Sequence, residues 1–65
     1  MIRLTRLNER PVVVNAELVK FIEETPDTVI TLRDDDKILV RENADEVVQR
    51  VIEYARAIRT ILPGA

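Results

Sequence analysis

Cysteine, histidine and tryptophan are absent, and glycine, methionine, phenylalanine and tyrosine each occur once. Without cysteine no disulfide can staple the chain and no thiolate can serve as a nucleophile. Without cysteine and histidine together, zinc loses its usual ligands. The lone glycine, Gly64, excludes a glycine-rich phosphate loop. No apolar run approaches the roughly 20 residues of a membrane-spanning helix. The opening MIRLTRLNER carries three arginines and lacks the apolar stretch of a signal peptide. These absences set the expectation of a cytoplasmic protein with no membrane insertion and no cofactor. The net charge of −2 gives no general attraction to nucleic acid or to an anionic membrane. Charged residues make up 34% of the chain with both signs interspersed, which marks a well-solvated surface rather than a single-sign binding field.

Sixty-five residues, 1–65, make a single domain. A chain this short buries only about 60% of the surface that its unfolded form exposes. Small domains are usually stabilised by disulfides, metals or partner subunits. With the first two closed, good packing or self-association remains, and of the two a homo-oligomer is the expectation.

The chain is organised around Phe21 to Glu42, FIEETPDTVITLRDDDKILVRE, which reads as short strands joined by tight turns. Val19, Phe21, Val29, Ile30, Leu32, Ile38, Leu39 and Val40 suit a pleated, half-buried surface. Thr25-Pro26-Asp27-Thr28 has turn chemistry: proline fixes its own φ and pushes Thr25 toward an extended conformation, and the Asp27 side chain can bond its own backbone. Asp34-Asp35-Asp36 makes a second turn. Upstream, Ile2 to Leu7 predicts a strand and Asn8-Glu9-Arg10-Pro11 a turn, with Asn8 tolerating φ > 0 better than most residues. Val12 to Val14 predicts a further strand. Asn15-Ala16-Glu17-Leu18 fits either a single capped helical turn or a bend between strands. Strands are predicted at Val19 to Glu24, Thr28 to Arg33 and Lys37 to Arg41.

Asn43-Ala44-Asp45-Glu46 opens a helix. Asn43 is a good N-cap, Glu46 is placed to reach back to the cap amide, and Asp45 and Glu46 suit the positive end of the helix dipole. Pro63-Gly64 should stop the helix at about Leu62. At about 100° per residue, Val47, Val51, Tyr54, Ile58 and Leu62 form one stripe. Val48, Ile52 and Ala55 widen it on one side, Ala57 and Ile61 on the other. The apolar arc then exceeds the ~100° stripe of an ordinary surface helix. One flank is expected to rest on the sheet and the other on a second copy, with Val48, Ile52, Ala55 and Ile61 as the candidate self-association face.

The charged clusters fit solvation better than chemistry. Calcium loops space their acidic ligands at alternate positions and need a glycine and a distant glutamate, none of which Asp34 to Asp36 supply. Glu23, Glu24 and Asp27 would need a pocket to drive their pKa values apart before acting as acid and base. Arg50, Arg56 and Arg59 read as solvent-facing, with Glu53 near enough to pair with Arg50 and Arg56. Arg3, Arg6, Arg33 and Arg41 could form a basic stripe on a sheet, the basis of an alternative reading as a small nucleic-acid-binding regulator. That reading lacks interleaved aromatics, because Phe21 and Tyr54 both sit in apolar patterns and read as core. No nucleophile–base pair can be assembled, so an enzyme is not expected.

MIRLTRLN, VNAELVKFIEETPDTVITL and VRENADEVVQRVIEY together resemble the small bacterial flagellar protein family called FlbD, or SwrD in swarming bacteria. The likeness covers nearly the whole chain and is most specific over Ile22 to Leu32. It implies a cytoplasmic, non-enzymatic role in flagellar motility, in motor power or flagellar assembly, with flagellar proteins as partners and a place at the flagellar base. The family usually carries Asn-Gly where this chain has Asn8-Glu9, and a glycine where it has Asp34 to Asp36. Glycine there would supply φ > 0 without steric cost, a region that aspartate can also visit.

The expected architecture is therefore α+β: a small antiparallel sheet of four to five short strands followed by one amphipathic C-terminal helix. The exposed turn at Glu23, Pro26 and Asp27 is the candidate partner contact.

Overall fold

The computed structural model describes the backbone of residues 1–61 and the side chains of residues 1–59. Five strands and one helix follow in order: β1 (Ile2–Thr5), β2 (Pro11–Val14), a 3-10 turn (Ala16–Leu18), β3 (Val19–Glu24), β4 (Thr28–Leu32), β5 (Lys37–Val40) and α1 (Ala44–Ile61). The expected stop at Leu62 to Gly64 lies outside the described residues. At Asn15 the helical alternative holds: its Oδ1 accepts from the Glu17 amide at 3.0 Å.

The strands divide into an antiparallel hairpin, β1-β2, and an antiparallel three-stranded sheet, β3-β4-β5. The two meet where Arg6 bridges Val40 and the Arg41 amide donates to the Thr5 carbonyl at 2.7 Å. β1 is shorter than expected because the Arg6 amide turns back to the Arg10 carbonyl at 2.8 Å, which leaves Leu7 in the turn and exposed.

One turn design closes both β1-β2 and β4-β5. The Arg6 amide donates to the Arg10 carbonyl, and the Glu9 amide to the Arg6 carbonyl. In the second turn Leu32 and Asp36 repeat the first bond, and Asp35 and Leu32 the second. Asn8 Oδ1 accepts from the Arg10 amide, as Asp34 Oδ1 accepts from the Asp36 amide. Glu9 and Asp35 both stand at φ 70°. This arrangement matches a type I turn followed by one left-handed residue. Asn8 is the side-chain acceptor, and the positive φ falls one residue later, on Glu9.

Strand alternation fills the core from both sheets. Ile2, Leu4 and Val14 from the hairpin meet Ile30 and Val40 from the sheet, Ala16 from the 3-10 turn and Val47 from α1, all buried. Val12, Val19, Ile22, Leu32, Ile38, Val51 and Tyr54 pack around them, half-buried.

Phe21 is not in this core: it is 54% exposed. The register shifts between Val19 and Phe21, so Val19 opposes Leu32 and Phe21 opposes Thr31. Regular alternation would turn Val19 and Phe21 inward together. The bulge inserts Lys20 and reverses the phase, sending Ile22 inward opposite Ile30 and Phe21 outward. The Lys20 ammonium lies 5.4 Å from the Phe21 ring centroid.

Candidate functional site

The two candidate surfaces lie on the β3-β4 turn and on α1, and the start of the helix joins them. Glu24, the last residue of β3, accepts from the Ala44 amide at 2.7 Å. Asn43 Oδ1 accepts from the Glu46 amide at 2.8 Å, and the Asn43 carbonyl from the Val47 amide at 3.1 Å. Two of the helix's open N-terminal amides are thus satisfied by side chains, one from another element. Among the described residues no bond runs back from the Glu46 side chain to the Asn43 amide. Glu24, rather than a complete capping box, anchors this end.

Glu23, Pro26 and Asp27 are all exposed. The Thr25-Pro26 peptide bond is cis, and the Thr25 amide donates to the Asp27 carbonyl at 3.3 Å. The turn therefore closes through backbone. Among the described residues the Asp27 carboxylate makes no hydrogen bond, so the expected bond to its own backbone is not formed. A shallow polar concavity beside the turn is lined by Glu24, Pro26, Asp27, Thr28, Arg41 and Asn43, among others.

On α1 the seated stripe starts at fully buried Val47 and continues through half-buried Val51, Tyr54 and Ile58. Val48 is 42% and Ile52 37% exposed, and Ala55 is exposed beside them. The side chain of Ile61 lies outside the described residues. A groove of about 300 Å³ runs between α1 and the 3-10 turn, lined by Ala16, Glu17, Val51, Tyr54, Ala55, Ile58 and Arg59.

A clasp absent from the sequence reading joins the hairpin to the helix. Glu42 accepts from the Thr5 amide at 2.9 Å and from the Thr5 hydroxyl at 2.9 Å. Arg50 reaches Glu42 at 3.3 Å and also donates to the Arg3 carbonyl. Arg50 therefore ties β1 to the helix through Glu42 and the Arg3 carbonyl while its side chain stays partly in solvent. Burial of the Glu42 side chain, which is 10% exposed, opposes its charge. The bonds from the Thr5 amide, its own amide and the Thr5 hydroxyl, with the Arg50 charge, outweigh that and hold its carboxyl below the usual range. Thr5 and Glu42 are 37 positions apart, and no local pattern signals such a pairing.

Arg33 and Arg41 do not lie side by side. Thr31 opposes Lys37 and Thr28 opposes Val40, so Arg33 and Arg41 lie beyond opposite ends of the β4-β5 ladder. Arg41 is paired with Glu9. No group of three or more acidic, histidine or cysteine side chains that could hold a metal is found among the described residues. No helix among them is long and apolar enough to cross a membrane.

A family model for flagellar and swarming motility proteins, FlbD, matches residues 1–59. No curated protein and no solved structure matches the chain.

Proposed function

Since the chain belongs to the FlbD family of flagellar and swarming motility proteins, we propose that it serves motility as a homo-oligomeric interaction module, by contact and not by catalysis. In this reading it works in the cytoplasm at the flagellar base, on motor power or flagellar assembly, and neither nucleic acid nor the lipid bilayer is a partner. The observation that carries it is the exposed apolar flank of α1, with Val48 and Ile52 beside a core that holds seven buried apolar residues among the described residues. A domain with so little interior gains by covering that flank. Glu23, Pro26 and Asp27 are the surface offered to a flagellar protein: they project from a turn that the helix start holds in place through Glu24.

Light scattering at micromolar concentration tests the self-association, since a clean 7.5 kDa monomer with a cooperative thermal transition contradicts it. Asp27→Ala tests the turn. Lost swarming with an unchanged melting temperature supports a contact surface, whereas a lowered melting temperature assigns Asp27 to turn structure alone.

A further inference from the structure

We infer that the partner of the exposed α1 face is the same face of a second copy, docked antiparallel about a two-fold axis at Ile52. This rests on the homo-oligomer reading and adds its geometry. At 3.6 residues per turn, Asp45, Val48, Ile52, Ala55 and Arg59 share an arc of about 80°. All five are exposed. The face reads acidic, apolar, apolar, apolar, basic from one end to the other.

Asp45 and Arg59 each stand seven positions from Ile52, or roughly 10 Å along the axis at 1.5 Å per residue. A two-fold interface makes residue i meet residue j and j meet i. Antiparallel docking through Ile52 sets Asp45 of each copy against Arg59 of the other, with the valine, isoleucine and alanine side chains between the two charge pairs. It also aligns the helix dipoles head to tail. Parallel docking would set Asp45 against Asp45 and Arg59 against Arg59, a like-charge arrangement that costs affinity. Neither residue takes part in the ion pairs found among the described residues, which are Lys20–Asp35, Arg41–Glu9 and Arg50–Glu42. The centre of the face lies roughly 120° around the helix from Val47, so a partner helix can dock there without displacing the sheet.

The chain has no native cysteine, so a single introduced one is a clean probe. Ile52→Cys should form a covalent dimer under mild oxidation, and Glu53→Cys, on another side of the helix, should not. In sedimentation, Asp45→Arg or Arg59→Asp alone should weaken dimerisation roughly tenfold, since each change places like charges opposite one another twice per dimer. The double variant Asp45→Arg/Arg59→Asp should return to within about threefold of the parent. Circular dichroism of each variant verifies that it is folded. A dimer that ignores the single charge reversals, or in which Ile52→Cys fails to cross-link, overturns the antiparallel arrangement while the oligomer reading stands. A parent chain that is monomeric at 100-fold the working concentration overturns both, and leaves the face to a different protein.

Discussion

Replacing Glu42 by alanine removes the acceptor on which the hairpin, β5 and α1 converge. Three donors lose it: the Thr5 amide at 2.9 Å, the Thr5 hydroxyl at 2.9 Å and Arg50 at 3.3 Å. Hydrogen bonds to a charged group contribute about 1.5–3 kcal/mol each in favourable cases. The Arg50 side chain is 40% exposed, so its pairing is screened and adds little. The Thr5 hydroxyl can turn to water, leaving the amide as the main loss. The net cost is then about 2–3 kcal/mol, a large share of the roughly 3–10 kcal/mol expected for a domain of this size. Thermal melts should fall by roughly 10–20 °C, provided that protomer concentration is fixed so that association does not mask the change.

Glu42→Gln keeps the shape and one acceptor but cannot titrate, which isolates the charge. The folded chain holds the carboxyl below its ordinary value of 4.5, so on acidification the unfolded chain takes up the proton first. The charge contribution is therefore complete well above pH 4.5 and is lost as pH falls through the folded value. The stability gap between the parent and Glu42→Gln should be flat from neutral pH to about pH 5.5 and close below that. A Glu42→Ala loss under about 0.5 kcal/mol, or a gap that widens in acid, would show that the clasp does not hold these elements together.

The repeated turn makes its own forecast. Asp35→Gly should raise stability by about 0.5–1 kcal/mol, because glycine adopts the 70° φ without the steric cost borne by aspartate; Asp35→Ala should lower it, and urea titrations separate the two. Asn43→Ala should cost about 1 kcal/mol of helix-cap stability, read as a lower urea midpoint with an unchanged slope. Phe21→Ser should cost less than about 1 kcal/mol, against about 3 kcal/mol for Ile30→Ala at a fully buried site.

What the residues disclosed, and what they hid, divides by range. The β3 limits at Val19 and Glu24, the Asn43 cap and the start of α1 depend on neighbours within a few positions, and all of these are legible. The turn at Asn8 to Pro11 is legible too, but the tolerance of asparagine for φ > 0 points to Asn8 whereas Glu9 adopts it, because residue preference indicates a turn more sharply than it indicates the position within it. The outward turn of Phe21 is hidden for a different reason. A bulge is a property of pairing with β4, and V-K-F-I read alone alternates the wrong way. The Glu42 clasp is further out of reach, since it joins residues 37 positions apart. Of the candidate sites, exposure of Glu23, Pro26, Asp27, Val48, Ile52 and Ala55 could be anticipated. The link from the turn to the helix start through Glu24 could not.

That link and the Glu42 clasp explain why the apolar surplus lies where it does. Both bonds, and Val47 in the core, fasten the first two turns of α1 to the strands. Beyond buried Val47, the stripe residues Val51, Tyr54 and Ile58 are all half-buried, and Val48, Ile52 and Ala55 beside them are exposed. A helix held at its start through Glu24, Glu42 and Val47 presents its exposed flank as an anchored ledge. The side chains on such a ledge lose little additional freedom on docking, which lowers the entropic cost of association. In the proposed dimer this anchoring favours the narrow apolar face over the same residues on an unanchored peptide. Cutting the anchor should therefore weaken association as well as folding. Glu24→Gln keeps an acceptor for the Ala44 amide and should dimerise nearly as the parent does, whereas Glu24→Ala should dimerise several-fold less tightly while still folded. Equal dissociation constants for these two variants would mean that the helix start contributes nothing to the interface.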